Sequence, residues 1–189
     1  MSHIDTVQQW LAQNNYDIAY ISNYKTIAYF TGFESDPIER TLALFIFPDH
    51  EPFIFAPALE VGSVKEAGWK YPVYGYLDHE DPYALIKNHI DKINPNPEKW
   101  AIEKENLTVE RFEEIQKQYP NAQFEGDLTP LIQHEKLFKT PEEIEKLNQA
   151  GKWADYAFEV GFNALQMGRT EQDIVAEIEY ALMKKGIMQ

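Results

Sequence analysis

The amino-acid sequence predicts an α/β fold, a mixed β-sheet flanked by helices, with two further helices after it. Three observations carry this expectation. Along residues 1–139, short apolar runs of strand length alternate with segments of helical period, as a sheet covered on both faces requires. Thr41-Leu42-Ala43-Leu44-Phe45-Ile46-Phe47 and Phe53-Ile54-Phe55 are separated by Pro48-Asp49-His50-Glu51, a hairpin spacing that makes the sheet mixed and not all parallel. Thr140 and Thr170 each open a helix start in the last part of the chain.

Taken in order, Ile4, Val7 and Leu11 share one face of a first helix that ends near Asn14-Asn15. Ile18-Ala19-Tyr20-Ile21 is a short buried strand, and the hairpin of Thr41–Phe47 with Phe53–Phe55 follows. A helix runs from Ala58 to Ala67, with Gly68 at its end. Tyr71–Tyr76 reads as a strand, and its Pro72 places it near a sheet edge. Asp81-Pro82 starts a helix through Leu85, Ile86 and Ile90, which Asn94-Pro95-Asn96-Pro97 breaks. Trp100-Ala101-Ile102 is the next strand, Thr108–Gln118 a helix, Gln123–Glu125 a brief strand and Leu128–Ile132 a helical turn.

The closing helices are written more plainly still. Thr140 caps the first, Pro141 stands where a missing N–H costs nothing, and Glu143 can reach back to the cap's own N–H. Thr170-Glu171-Gln172-Asp173 repeats the signal, and Gly186 lies where a helix end favours a left-handed residue. The first of these helices carries two apolar stripes, Ile144, Leu147, Ala154, Phe158, Leu165 and Ala150, Trp153, Ala157, Val160, Ala164, Met167. Stripes on two sides predict burial on two sides.

Composition narrows the function. In 189 residues, 44% are apolar and 14% aromatic, enough for a packed core, which excludes disorder. Of the net charge of −14, residues 140–189 hold −4, so the acidity is spread and is no tail. Such a surface repels phosphate backbones and argues against nucleic acid as a partner. The absence of cysteine excludes disulfides, thiolate zinc sites and a cysteine nucleophile. Met1-Ser2-His3-Ile4-Asp5 has no secretory pattern, and no run approaches the ~18 apolar residues of a membrane span. A cytoplasmic protein without a membrane partner is the expectation. Asn106-Leu107-Thr108 fits a glycosylation sequon, but Thr108 reads better as a helix cap.

Catalytic signatures are missing. No HExxH, Walker, GxGxxG or GxSxG pattern occurs, and Ser2, Ser22, Ser35 and Ser63 have no nucleophile context. The densest candidate metal cluster is Asp78-His79-Glu80-Asp81; it reads as a solvated loop in which Asp81 caps the helix that Pro82 begins. His50-Glu51 belongs to the hairpin turn, His134-Glu135 to a linker, and His3 and His89 to exposed helix positions.

Three segments carry a family resemblance. Lys139-Thr140-Pro141-Glu142-Glu143-Ile144, Ala150, Ala154, Gly168-Arg169-Thr170-Glu171-Gln172-Asp173-Ile174, Ile178-Glu179 and Lys185-Gly186 form the first. Tyr29-Phe30-Thr31-Gly32-Phe33 and Trp100-Ala101-Ile102-Glu103-Lys104-Glu105-Asn106-Leu107-Thr108 are the others. In this order they resemble the pita-bread metallopeptidases: Xaa-Pro dipeptidase (prolidase), Xaa-Pro aminopeptidase and creatinase. The resemblance implies a creatinase-type N-terminal domain, related to ribonuclease H-like folds, over residues 1–133. A linker over 134–139 and the truncated start of the α+β pita-bread domain over 140–189 would follow.

The family uses two divalent metal ions, expected to be Mn²⁺, held by carboxylates and one histidine of the catalytic domain. No residue here matches those ligands. The expectation is therefore no catalytic residue, no metal ligand and no cofactor in this chain, and no cleavage by it alone. The parent implied is a homodimer that hydrolyses proline-containing dipeptides. In family members that dimerise, the N-terminal domain of one subunit can approach the partner's active-site mouth. This makes the loop Phe33–Arg40 a candidate for substrate gating or partner-subunit contact, through Phe33, Asp36, Glu39 and Arg40, with Arg40 able to pair with a peptide carboxylate. An ordinary surface loop with Arg40 in an intramolecular ion pair is the plainer reading. A stand-alone peptide- or protein-interaction module, and the N-terminal part of an aminopeptidase P or creatinase, are the alternatives for the whole chain.

Overall fold

A computed structural model describes residues 3–187. The chain forms two compact units, one up to Lys136 and one from Leu137.

The first unit is built on a six-stranded sheet. Its strands are β1 (Ile18–Ile21), β2 (Ala43–Ile46), β3 (Phe53–Pro57), β4 (Val73–Tyr76), β5 (Lys99–Ile102) and β6 (Gln123–Asp127), in the order β4-β3-β2-β1-β5-β6. Strand β2 runs antiparallel to both neighbours, and the other pairs are parallel. The sheet is mixed, as the hairpin spacing predicts, and β4 is an edge strand. Pro72 precedes β4 and its carbonyl accepts from Ile54, so the missing N–H falls outside the ladder.

Both sheet faces are covered, which is why the central strands are buried at every position. On one face Ala19, Ile21, Leu44, Ile46, Ile54 and Ala101 meet Ile4, Val7 and Leu11 of α1 (His3–Asn14), Ile27 and Phe30 of α2 (Tyr24–Thr31), Val64 of α3 (Val61–Glu66) and Ile132 of α6 (Thr129–Leu137). On the other, Tyr20, Phe45, Phe53, Phe55 and Trp100 meet Tyr83, Ile86 and Ile90 of α4 (Pro82–Ile90) and Ile115 of α5 (Val109–Gln118).

Helix α2 has no counterpart in the sequence expectations, although its ends are signalled. Asn23 accepts from the N–H groups of Lys25 and Thr26, and Gly32 closes the helix at φ 74°. Helix α6 continues to Leu137, past the helical turn expected at Leu128–Ile132. His134 and Glu135 therefore lie in the last turns of α6, where Glu135 is paired with His3 at 3.1 Å. His3 itself is half-buried against Tyr29, and His89 is half-buried with its ring stacked 3.7 Å from that of Tyr74. Neither is the exposed position expected, since each faces an aromatic ring of its own unit.

The second unit is a helical hairpin, α7 (Pro141–Ala164) and α8 (Glu171–Lys184). Each starts with the reciprocal cap read from the sequence: Thr140 with Glu143, and Thr170 with Asp173. Gly186 has φ 76°, as its position predicts. Gly161 lets the helices approach, since a Cβ there would lie 2.8 Å from Ile178 Cδ1. The expected burial of α7 on two sides is not met: Ile144, Leu147, Phe158 and Phe162 are exposed. A two-helix unit has too little surface to cover both stripes. Phe158, Phe162, Leu165, Ile174 and Ile178 line an apolar groove of about 240 Å³.

Candidate functional site

The candidate site is the loop between α2 and β2. Its first residue is fixed by local chemistry. The Thr31 hydroxyl donates to the Ile27 carbonyl at 2.7 Å and accepts from the Phe33 N–H at 3.1 Å. The left-handed Gly32 then turns Phe33 inward, where it is 3% exposed and packs in the core beneath the sheet. Phe33 is thus an anchor of the loop and not a surface contact, because its apolar ring has a core site within reach.

Asp36, Glu39 and Arg40 remain on the outside. The Asp36 carboxylate accepts from the Ile38 N–H at 3.0 Å, an Asx-type turn that Asp-Pro sequences favour. The Arg40 N–H donates to the Pro37 carbonyl at 3.0 Å and closes the turn. The Ser35 hydroxyl donates to Glu60 at 3.1 Å, on the short 3₁₀ turn Ala58–Glu60. Glu39 projects into solvent. The Arg40 guanidinium reaches Asp78 at 3.1 Å.

The residue that sequence reasoning missed is Ile38. It is 81% exposed and holds φ 57°, a left-handed conformation that β-branched side chains disfavour by roughly 1–2 kcal/mol. Residue type does not predict this strain; it coincides with the turn that the Ile38 and Arg40 N–H bonds close. An exposed apolar side chain held in a strained backbone at a loop tip is a feature that persists at sites of contact. Asp36-Pro37 was the available signal, since it marks a turn at this place.

The other candidates resolve plainly. Asp81 accepts from the N–H groups of Tyr83 and Ala84 and caps α4, and Glu80 accepts from the Leu77 N–H. The segment Asp78–Asp81 is exposed, as the solvated-loop reading holds. Among the described residues no group of three or more His, Asp or Glu side chains is placed to hold a metal ion.

Among the described residues one carboxylate is buried. Glu103, just past β5, is 3% exposed; its Oε1 accepts from Thr26 Oγ1 and from Asn106 Nδ2, both at 2.8 Å. Its Oε2 has no hydrogen-bond partner among the described residues. Burial pushes its pKa above the ordinary carboxylate range, opposed by the Thr26 and Asn106 bonds and by the charge of Lys136. Lys136 in turn donates to Thr26 Oγ1 at 3.3 Å. This network ties α2, β5 and α6 together. Its two charged members, Glu103 and Lys136, are bridged through the Thr26 hydroxyl.

Comparison with known proteins places this architecture. The model of the creatinase/prolidase N-terminal domain matches residues 3–135. The chain belongs to this family. It is 48% identical over 187 residues to an Xaa-Pro dipeptidase of Lactobacillus helveticus, covering 98% of this chain and 51% of that protein. An Xaa-Pro dipeptidase of Lactobacillus delbrueckii subsp. lactis is 46% identical, with 99% and 51% covered. The chain thus spans about half the length of the curated relatives it matches. Among solved structures, the N-terminal domain of an Xaa-Pro dipeptidase from Lactobacillus brevis is 52% identical with a TM-score of 0.68, over 70% of this chain and 99% of that one. The creatinase/prolidase resemblance read from the aromatic–Thr-Gly-Phe, Trp100–Thr108 and Thr140–Gly186 segments is correct. No helix among the described residues is long and apolar enough to cross a membrane.

Proposed function

We propose that this chain is the non-catalytic N-terminal portion of an Xaa-Pro dipeptidase, and that its loop Phe33–Arg40 helps to shape the active site of a dimer. The observation that carries the reading is the 48% identity across 98% of this chain with a dipeptidase of which it spans 51%. In this reading residues 1–133 form the N-terminal domain, 134–139 a linker and 140–189 the opening of the catalytic domain, in a cytoplasmic homodimer. The remaining half supplies the ligands of two divalent metal ions, expected to be Mn²⁺, which activate water and polarise the scissile carbonyl. The exposed apolar stripe of α7 and the groove it forms with α8 support this, because such a surface calls for a covering partner.

Arg40 suits a gating role. Its partner Asp78 is 72% exposed, and an ion pair so solvated contributes little to stability, so the guanidinium can exchange it for a substrate carboxylate. Asp36 and Glu39 present the complementary charge, and Ile38 an apolar tip.

Two measurements test the proposal. Purified as it stands, the chain with excess Mn²⁺ is expected to release no proline from an Xaa-Pro dipeptide beyond a metal-only blank; turnover sinks the non-catalytic reading. In the polypeptide that also carries the metal-binding half, Arg40→Ala is expected to lower kcat/KM roughly tenfold, the worth of one charge-assisted hydrogen bond. Unchanged kinetics would remove the loop from the active site.

A further inference from the structure

The side chain of Arg40 leaves the loop in a direction set by a single peptide unit, the one joining Arg40 to Thr41. Both polar groups of that unit are held by side chains from distant parts of the chain. The Arg40 carbonyl accepts from Arg111 Nη2 at 3.2 Å, across 71 residues of sequence. The Thr41 N–H donates to Tyr76 Oη at 2.7 Å, across 35 residues. Arg111 comes from α5 and Tyr76 from the end of β4, so the peptide plane is clamped from two elements at once.

Arg111 does more than cap one carbonyl. Its Nη1 donates to the Ser22 carbonyl at 3.0 Å. Ser22 is the residue after β1, and Arg40 stands just before β2. These strands are antiparallel neighbours with Ile21 opposite Leu44, so their chains diverge at this end of the pair and backbone pairing stops. The planar fork of a guanidinium spans the two carbonyls where the ladder runs out. A lysine ammonium is a point donor on a flexible stem and does not reproduce this geometry. Thr41, Ser22 and Tyr76 are all buried, so water does not compete freely for these bonds.

We infer that Arg111, assisted by Tyr76, is a positioning residue: it fixes the Arg40–Thr41 peptide and thereby aims Arg40 at the substrate or partner that the loop meets. This rests on the gating role proposed for the loop. Neither residue is part of the loop, and sequence spacing gives no hint of either.

The test has two arms. In the chain as it stands, amide hydrogen exchange of Ile38, Arg40 and Thr41, whose N–H groups are hydrogen-bonded, is measured in Arg111→Met, Arg111→Lys and Tyr76→Phe, with circular dichroism verifying the fold. Exchange at these amides is expected to rise roughly tenfold in Arg111→Met, the effect of freeing a carbonyl from a charged donor, and less in Arg111→Lys. Unaltered exchange in Arg111→Met and Tyr76→Phe overturns the inference. In the polypeptide carrying the metal-binding half, Arg111→Met is expected to raise KM more than it lowers kcat, and to add nothing further to Arg40→Ala. Full activity in Arg111→Met beside an impaired Arg40→Ala overturns the positioning role. Full activity in both variants overturns the gating reading itself, while faster exchange would leave the clamp standing as a purely structural one.

Discussion

The first unit and the helical hairpin begin from similar sequence material, amphipathic helices with sound caps, and reach opposite states of burial. Six strands in the first unit present two faces, and each face is closed by helices, so Trp100, Phe45 and Phe55 lose essentially all contact with solvent. In the hairpin, α7 and α8 bury little more than Gly161 and Ala164, while Phe158 stays 77% exposed. The difference teaches that caps and stripes specify a helix, but only a third surface can bury a helix that is apolar on two sides.

The largest effect that could break this comparison comes from cutting one aromatic residue in each unit. Trp100→Ala, which removes a ring packed on Tyr119 and Phe124, is expected to cost about 3–5 kcal/mol of unfolding free energy in urea. Phe158→Ala is expected to change stability by no more than about 0.5 kcal/mol. Equal losses would mean that the hairpin has a core of its own. A smaller effect comes from the caps. Thr140→Ala removes a reciprocal cap and is expected to cost the α7 helix about 1 kcal/mol, read as lost helical circular dichroism while the midpoint of the first unit stays put.

The finest distinction is the pH dependence that two groups, the buried Glu103 and the half-buried His89, give the first unit. Burial raises the pKa of Glu103, so the folded chain holds this proton more tightly than the unfolded chain. Its stabilising contribution is complete below the unfolded carboxyl pKa and is lost as pH rises through the raised folded value. In Glu103→Gln this slope disappears, and the parent should gain on the variant as pH falls from neutral to mildly acidic. His89 has the opposite sign. Burial, and secondarily the charge of Lys92, lower its pKa, so its contribution is present above the unfolded imidazole value and is lost as pH falls below it. His89→Phe keeps a ring against Tyr74 and should flatten that acid-side loss. Urea titrations over this pH range check both; parallel curves for parent and variants would refute the assignments.

Much of the fold was legible before any coordinates. The strands, the hairpin and the caps at Thr108, Thr140 and Thr170 all depend on residues a few positions apart, where periodicity and hydrogen-bonding chemistry act directly. Helix α2 was hidden because its eight residues include β-branched and aromatic side chains that dilute the helical pattern, even though Asn23 and Gly32 bracket it. The candidate site was half legible. Asp36 and Glu39 are exposed and Arg40 is half-exposed, whereas Phe33 turns into the core and Ile38 takes the exposed tip.

By itself, then, the sequence determined the strands, every helix but α2, the mixed sheet and the family, because each is encoded in local patterns or short motifs. Tertiary structure alone decided which way Phe33 faces, why Ile38 is strained and how the Arg40–Thr41 peptide is clamped by Arg111 and Tyr76. Those outcomes join residues tens of positions apart, and no local propensity carries information over that distance until the sheet brings their elements together.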